Sequence, residues 1–248
     1  MSGPAPYYSG AGVTLYLGRC EDILPHLSGI QLTVTSPPYN QLHGTLKMGA
    51  PTGRRWRGSI ASHVYSDDLP EAEYQQQQIT IANKLASAST PSAAMFYNHK
   101  VRYRAKVPHH PLDLVRQFDS WQVRQEIVWN TGGSPAVGGG MFVPGDERIY
   151  WLVRDLANFT ANRKVATWTT VWDMPRAKVG RVAHPVPFPI TIPERAVLAA
   201  SRPNDLVCDP YAGSGTTLRA AKLLHRRAVG IESEERFVQA AAEMLEAM

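Results

Sequence analysis

Asp209-Pro210-Tyr211-Ala212-Gly213-Ser214-Gly215-Thr216-Thr217 stands between a strand-like run, Asp205–Asp209, and a helical stretch, Thr216–Leu224. Glycines in such a turn let the backbone bend sharply and approach a ligand with no β-carbon in the way. A further strand, Ala228–Ile231, follows, and Glu232 at its end lies 23 residues beyond Asp209. Strand, glycine turn, helix and strand define an α/β unit, and the same alternation extends through the rest of the chain.

Upstream, Val13–Leu17 and Ile30–Thr35 read as strands around a short helical stretch at Asp22–Leu27. Leu69-Pro70-Glu71 is expected to open a helix that runs through about Ser87, with Pro70 near its first turn and Asp67 or Asp68 as its cap. Ala93–Tyr97, Val123–Trp129 and Arg148–Val153 read as strands, and Glu194–Ser201 and Glu235–Leu245 as helices. Gly44–Ser66 and the glycine-rich Thr131–Gly145 read as loops, and 155–180 shows little periodicity. The expected fold is therefore a mostly parallel twisted sheet with helices on both faces. A chain of 248 residues suits one such domain, 1–248.

Three ligands compete for the glycine turn. A phosphate loop needs a lysine before its Ser/Thr, and none lies between Asp209 and Leu218. A dinucleotide loop wants a third glycine where Leu218 stands. An adenosyl ligand without a pyrophosphate needs less anion binding and tolerates an acid in the turn, with Glu232 spaced to accept from ribose hydroxyls. A turn serving only packing is the remaining alternative, and the strand, helix and Glu232 around it argue against that.

Ser36-Pro37-Pro38-Tyr39 follows directly on the strand Ile30–Thr35. Successive prolines fix φ twice and remove two donors, leaving a stiff peptide with free carbonyl acceptors. Ser36 adds an acceptor and Tyr39 a ring face, the groups needed to hold a planar base that carries an exocyclic amine. Alone the tetrapeptide is a weak signal, because proline pairs are common in turns. Yet Tyr39 and Asp209, 170 positions apart, each lie at the carboxyl end of an expected strand, where an open α/β sheet places its ligands.

In that order, Thr35-Ser36-Pro37-Pro38-Tyr39 and the Asp209–Thr217 turn resemble the β-class DNA amino-methyltransferases. The resemblance extends to Leu15–Cys20, Ala94–Asn98, Ile127–Asn130, Glu147–Val153, and His184-Pro185-Val186-Pro187-Phe188-Pro189 followed by Pro193-Glu194-Arg195. It implies a Rossmann-like methyltransferase fold of circularly permuted motif order, and transfer of a methyl group from S-adenosyl-L-methionine to the amine of a base flipped from double-stranded DNA. By the same resemblance, Ser36, Pro37, Pro38 and Tyr39 would be catalytic. The cofactor would lie among Phe188, Pro189, Asp209, Pro210, Tyr211, Ala212, Gly213, Ser214, Gly215, Thr216, Thr217, Glu232 and Ser233. Arg19 replaces the acid usual after the opening glycine, which passes the corresponding contact to Asp22 or removes it. A phenylalanine is commoner at Tyr211, and a lysine at Thr131.

Adenine N6 and cytosine N4 are both conjugated amines that need the same two acceptors. Serine before Pro-Pro-Tyr, and the His184–Pro189 segment, are more similar to cytosine-N4 members, with adenine N6 as the alternative. Methylation at C5 would need an attacking cysteine. Cys208 falls in a buried strand, and Cys20, beside Arg19, lacks a Pro-Cys context. From other classes, the missing third glycine disfavours a nucleotide-dependent oxidoreductase, and an intact Ser36–Tyr39 motif disfavours a catalytically silent DNA-binding protein. RNA and a protein glutamine remain as other substrates of the same chemistry.

Lys and Arg number 26 against 21 Asp and Glu, a net +5. Lys47, Arg54, Arg55 and Arg57 fall between Asn40 and Ser66 with no acid among them. This loop is expected to close over DNA, with its cations on phosphates or guanine edges. Residues 155–180 occupy the place of a target-recognition segment, and their shortness implies that reading a long site takes a homodimer. A cognate restriction endonuclease is an expected partner of such a system. Trp168 and Trp172, four apart, read as a packed helical pair. His99, His109 and His110 read as loop or phosphate-contacting residues rather than metal ligands. No apolar run is long enough for a membrane span and the start of the chain has no secretory pattern, so a cytoplasmic location is expected.

Overall fold

The computed structural model describes residues 3–40, 69–104, 107–132, 142–175 and 189–248. Among them, nine strands form one mixed sheet. Its order is β1 (Tyr8–Gly10), β2 (Val13–Leu17), β11 (Arg227–Glu232), β10 (Leu206–Asp209), β3 (Ile30–Thr35), β4 (Ser89–His99), β8 (Asp146–Val153), β7 (Gln122–Asn130) and β9 (Val171–Asp173). From β2 to β4 every neighbouring pair is parallel. Strand β1 lies antiparallel on one flank, β8 runs antiparallel to β4 and β7, and β9 is parallel to β7. A separate hairpin joins β5 (Arg102–Arg104) to β6 (Val107–His109).

The alternation of side chains along the strands builds two cores. On one face Leu15, Leu32, Phe96 and Val207 pack with Ala196, Leu218 and Val238. These belong to α4 (Thr191–Ala200), α5 (Thr216–Leu223) and α6 (Glu235–Glu246). On the other face Met95, Tyr97, Cys208 and Ile231 meet α1 (Cys20–Ile23), α2 (Glu71–Ala88) and α3 (Pro111–Val115). The buried residues of α2, including Tyr74, Gln78, Ile81, Leu85 and Ala88, recur at three- and four-residue spacing and form one stripe against the sheet. The central parallel strands are covered on both faces, which accounts for their nearly continuous apolar runs.

From β3 the chain passes through α2 to β4 on one side, and from β10 through α5 to β11 on the other. Strands β3 and β10 are neighbours, with Thr33 beside Cys208. Strand order therefore reverses between them, and the loops leaving their carboxyl ends diverge around a crevice. The Ser36–Tyr39 motif leaves β3 and the glycine turn leaves β10. The chain thus carries both motifs at one edge of the sheet, in the order expected.

Local departures have physical causes. The first helix spans Cys20–Ile23 and tightens into a 3-10 turn at Leu24–His26, where Pro25 stands. Pro70 is the N-cap of α2 and no side chain caps it; Asp67 and Asp68 lie outside the described residues. Trp168 and Trp172 share no helix. A 3-10 turn, Arg163–Thr167, ends before Trp168, and Trp172 is buried on β9, paired with Trp129. The guanidinium of Arg195 on α4 lies 5.3 Å from the Trp168 ring centroid and 5.0 Å from that of Trp172, so a cation joins the two indoles. The described helices include none long and apolar enough to cross a membrane.

Gly230 on β11 sets how closely the glycine turn and α5 approach the sheet. A β-carbon there would stand 2.7 Å from Leu218 Cδ1 and 3.0 Å from both Ala212 Cβ and Leu15 Cδ1. Leu15 and Leu218 are fully buried and have no space to yield. Gly230→Ala is expected to cost about 1–3 kcal/mol, measured by urea unfolding, and to weaken ligand binding at the turn.

Candidate active site

The glycine turn is organised by its own acids. Asp209 closes β10 with its carboxylate buried, accepting from Thr217 Oγ1 at 2.7 Å and from the Tyr211 amide at 3.1 Å. That side chain ties the start of α5 back to the end of the strand. Gly213 and Gly215 take φ values of 52° and 82°, which a side chain would oppose. Glu232, buried at the end of β11, accepts from the Gly213 amide at 2.8 Å and from the Glu234 amide at 3.0 Å. Burial pushes Asp209 up to about 6, and the nearby Glu232 carboxylate adds to the rise, against the pull of the Thr217 hydroxyl and the Tyr211 amide. Two acids at a turn without lysine repel a polyphosphate and suit ribose hydroxyls and a cationic sulfonium. The donor set fits an adenosyl sulfonium cofactor.

The other predicted cofactor residues divide. Ala212 is buried and donates its amide to Ile231, and Ser214 and Thr216 are half-buried at the helix start. The Tyr211 hydroxyl accepts from Gln78 Nε2 at 3.3 Å, and Gln78 in turn accepts from Tyr97, so the ring packs into the α2 side. Ser233 Oγ lies 3.4 Å from Glu232 Oε1. Asp22 is exposed on α1, whereas Glu21 beside it is held by Arg19, Cys20 and Gln77. Pro189 begins the described segment before α4; Phe188 lies outside the described residues, as do Lys47, Arg54, Arg55 and Arg57.

At the end of β3 the motif folds over a buried polar cluster. Tyr39 Oη donates to Glu147 Oε2 at 2.8 Å and lies 2.8 Å from Ser36 Oγ. A phenol has one hydrogen, so the Ser36 hydroxyl donates to Tyr39, which leaves the serine oxygen as an acceptor. Asn98 Nδ2 donates to Tyr39 Oη at 2.7 Å, to Glu147 Oε2 at 2.9 Å and, more weakly, to Ser36 Oγ at 3.3 Å. Asn98 and Glu147 are both almost wholly buried, at 3% and 1% exposure. The carboxylate decides which end of the amide faces it, and the outcome is an Asn98 Oδ1 with no partner among the described residues.

A second set of bonds supports the motif from beneath. Tyr74 on α2 donates to the Pro38 carbonyl at 2.9 Å, and His99 Nε2 lies 2.8 Å from the same hydroxyl. With the phenolic hydrogen on Pro38, His99 donates from Nε2, and its Nδ1 lies 2.9 Å from both the amide and the carbonyl of Lys100, accepting from the amide when the ring is neutral. That tautomer is neutral, and burial first, then the neighbouring Arg102, lower its pKa to about 3. The Tyr39 ring rests 4.7 Å from the His99 ring, tilted by 35°. Arg102, paired with Glu71 through two 2.7 Å bonds from its terminal nitrogens, anchors the start of α2 to the β5 hairpin. Asn40, in a left-handed conformation with φ 52°, exchanges two side-chain bonds with the backbone of Leu69, at 2.7 and 3.0 Å.

His99 is therefore a buried support and not a loop residue. His110 caps α3 by accepting from the Leu112 amide, and His109 lies 3.7 Å from Glu71. The Cys20 thiol is buried and pushed up by that burial and by Glu21, while Arg19 turns to Glu21, so the cation does not activate the thiol. Sequence reading missed Asn98, Glu147, Tyr74 and His99 as site residues. Asn98 and Glu147 lay in segments read only as strands; their signal was a polar residue interrupting an apolar run at a strand end.

A Rossmann-like sheet with a sulfonium-compatible glycine turn beside a cluster of amine acceptors describes a methyltransferase. The family model described as DNA methylase, covering N6 and N4 amino-methylation, matches residues 30–243. The chain belongs to this family and is a DNA methyltransferase. It is 29% identical to the Type II methyltransferase M.ScaI of Streptomyces caespitosus over 279 aligned positions, 98% of this chain and 84% of that protein. Its fold is similar to that of PvuII DNA methyltransferase (cytosine-N4-specific), with a TM-score of 0.75 at 19% identity over 97% of this chain and 88% of that one. The M1.HpyAVI–SAM complex aligns with a TM-score of 0.66 at 19% identity, covering 94% and 98%.

His99 supplies a pH signature. Its folded pKa, about 3, lies below the ordinary 6.5, so the stability from keeping it neutral is full above about pH 6.5 and is lost as pH falls toward 3. In urea unfolding between pH 4 and 8, the advantage of the wild type over His99→Gln is expected to shrink in acid. A constant difference would contradict the buried neutral state.

Proposed function

We propose that the protein is a β-class enzyme that transfers a methyl group from S-adenosyl-L-methionine to the N4 amine of a cytosine flipped out of duplex DNA. The observation that carries this reading is the Ser36 hydroxyl, whose one hydrogen is given to the Glu147-bound Tyr39 so that its oxygen is left to accept, at the edge of the crevice that the glycine turn shares. Ser36 Oγ and the Pro37 carbonyl accept the two amine hydrogens. Accepting both draws the nitrogen toward tetrahedral geometry and frees its lone pair for attack. The ring of Tyr39, seated on His99, supports the flipped base by stacking.

When bound, the cofactor supplies an electrophilic methyl group on a sulfonium. Glu232 would accept from its ribose, and Gly213 to Thr217 would line it. Asp209 acts through the shape of the turn, since its carboxylate is engaged by Thr217 and the Tyr211 amide. No strong base is required for attack, because the amine can lose its proton after the methyl arrives.

Serine before Pro-Pro-Tyr and the cytosine-N4-specific fold relative favour cytosine. The family includes adenine-N6 enzymes, and N6 is the alternative with the same residues. Residues 1–248 would act as one domain, with Lys47, Arg54, Arg55 and Arg57 on DNA phosphates or guanine edges and 155–180 reading the target. A homodimer would extend a short reading segment, and likeness to a Type II methyltransferase supports a cognate restriction endonuclease.

The test is a base analysis. Protein, mixed-sequence duplex DNA and methyl-labelled cofactor are incubated, and the nucleosides are identified by mass spectrometry. Label is expected in N4-methylcytosine, with at least about a 100-fold loss of rate in Ser36→Ala and Tyr39→Ala. Label in N6-methyladenine would keep the mechanism and reverse the base; none on DNA would overturn the reading.

A further inference from the structure

Methylating a neutral amine releases a proton, and the buried cluster offers it a route. Ser36 Oγ, Tyr39 Oη and Glu147 Oε2 form a continuous line with successive separations of 2.8 and 2.8 Å. The hydrogens on that line point one way, from serine to phenol to carboxylate, because Glu147 only accepts and Tyr39 has one hydrogen. Asn98 bonds all three members and holds them in register. Glu147 lies on β8, 108 residues from Tyr39, and reaches it only because β8 pairs with β4.

We propose that Glu147 is the terminal proton acceptor of methyl transfer, acting through Tyr39 and Ser36. This rests on the amine-methylation reading above. The amine nitrogen uses its lone pair to form the new bond to the methyl carbon, and the carbon–sulfur bond breaks with its electron pair retained by sulfur. The nitrogen then gives a proton to Ser36 Oγ as Ser36 passes its own to Tyr39 Oη and Tyr39 passes its own to Glu147. The products are a neutral methylated amine, a neutral thioether and a protonated Glu147, which returns its proton to solvent after product leaves. Glu147 never touches the base; it is a positioning residue that also takes up charge. A buried carboxylate suits that task, because it draws the proton away before the reverse transfer.

Glu147→Gln keeps the side-chain shape and removes the acceptor charge. It is expected to lower kcat for DNA methylation by about 100-fold or more, with KM for DNA and cofactor affinity unchanged. Glu147→Asp restores a carboxylate and is expected to recover at least about tenfold of that loss. Tyr39→Phe keeps the ring and cuts the line; combined with Glu147→Gln, it should lose no more than the slower single variant. In the free protein, carbon-13 NMR of labelled glutamate should show one carboxyl resonance that Glu147→Gln removes and Tyr39→Phe shifts. That readout needs no turnover.

Wild-type labelling of DNA with Glu147→Gln within about threefold of it would overturn the relay and leave the amine reading standing. So would a Glu147 resonance unmoved by Tyr39→Phe, or a kcat loss in Glu147→Gln matched by an equal fall in cofactor affinity. No wild-type label on any DNA amine would overturn the amine reading and the relay with it.

Discussion

The pairing of β3 with β10 is the constraint on which the remainder of the site depends. Thr33 lies beside Cys208, and the strands that follow each depart in opposite directions across the sheet. Two backbone segments 170 positions apart thereby leave the same edge side by side. One is stiffened by prolines and the other is bent by glycines, and neither contributes much chemistry without its neighbour. The buried acids on the two flanks of the crevice, Glu232 and Glu147, are placed by strands that pair outward from this centre.

The site is held at some expense to stability. Burial raises the Asp209 pKa to about 6, and the nearby Glu232 carboxylate adds to the rise. An acid raised in this way stabilises the fold in its protonated form, a contribution that is full below about 3.8 and lost as pH rises through 6. His99 acts in the opposite direction, since it is held neutral. Asn98 Oδ1 is buried without a partner among the described residues, at a typical cost of about 1–3 kcal/mol. Such costs gather where function needs a charge or an acceptor poised rather than satisfied. The surrounding packing meets them: Phe96, Tyr97, Trp129 and Tyr150 are all buried around the strands that carry Asn98 and Glu147.

The sheet was largely readable along the chain. Val13–Leu17 and Ile30–Thr35 are strands over the expected residues, and the alternation with helices follows from their apolar patterns. Three-residue strands were not readable. Tyr8–Gly10 and Val171–Asp173 carry too little periodicity and exist because a longer neighbour offers an edge, while Arg102–Arg104 exists only as one arm of a hairpin with the equally short Val107–His109. The Trp168–Trp172 spacing suited a helix, but the edge of β7 captures Trp172 into β9 and Arg195 fills the gap between the indoles. Tertiary pairing there overrides a local pattern. Ser36, Tyr39 and Asp209 stood out because they flank prolines, and Glu232 because it closes the next strand 23 residues after Asp209. Asn98 and Glu147 did not, because each sits at the end of an ordinary apolar strand.

The sequence alone carries the local backbone constraints: where glycines permit a sharp turn, where prolines remove donors, which runs must be buried, and that an acid closes the strand after the glycine turn. Those properties belong to single residues and their near neighbours. The tertiary structure alone brings Glu147 to Tyr39, bonds Asn98 to both, and sets Tyr74, itself held by His99, on the Pro38 carbonyl. A hydrogen bond depends on distance and direction within a few tenths of an ångström. Across 49 or 108 residues of chain, such precision comes from strand register and helix packing, to which no local stretch of sequence has access.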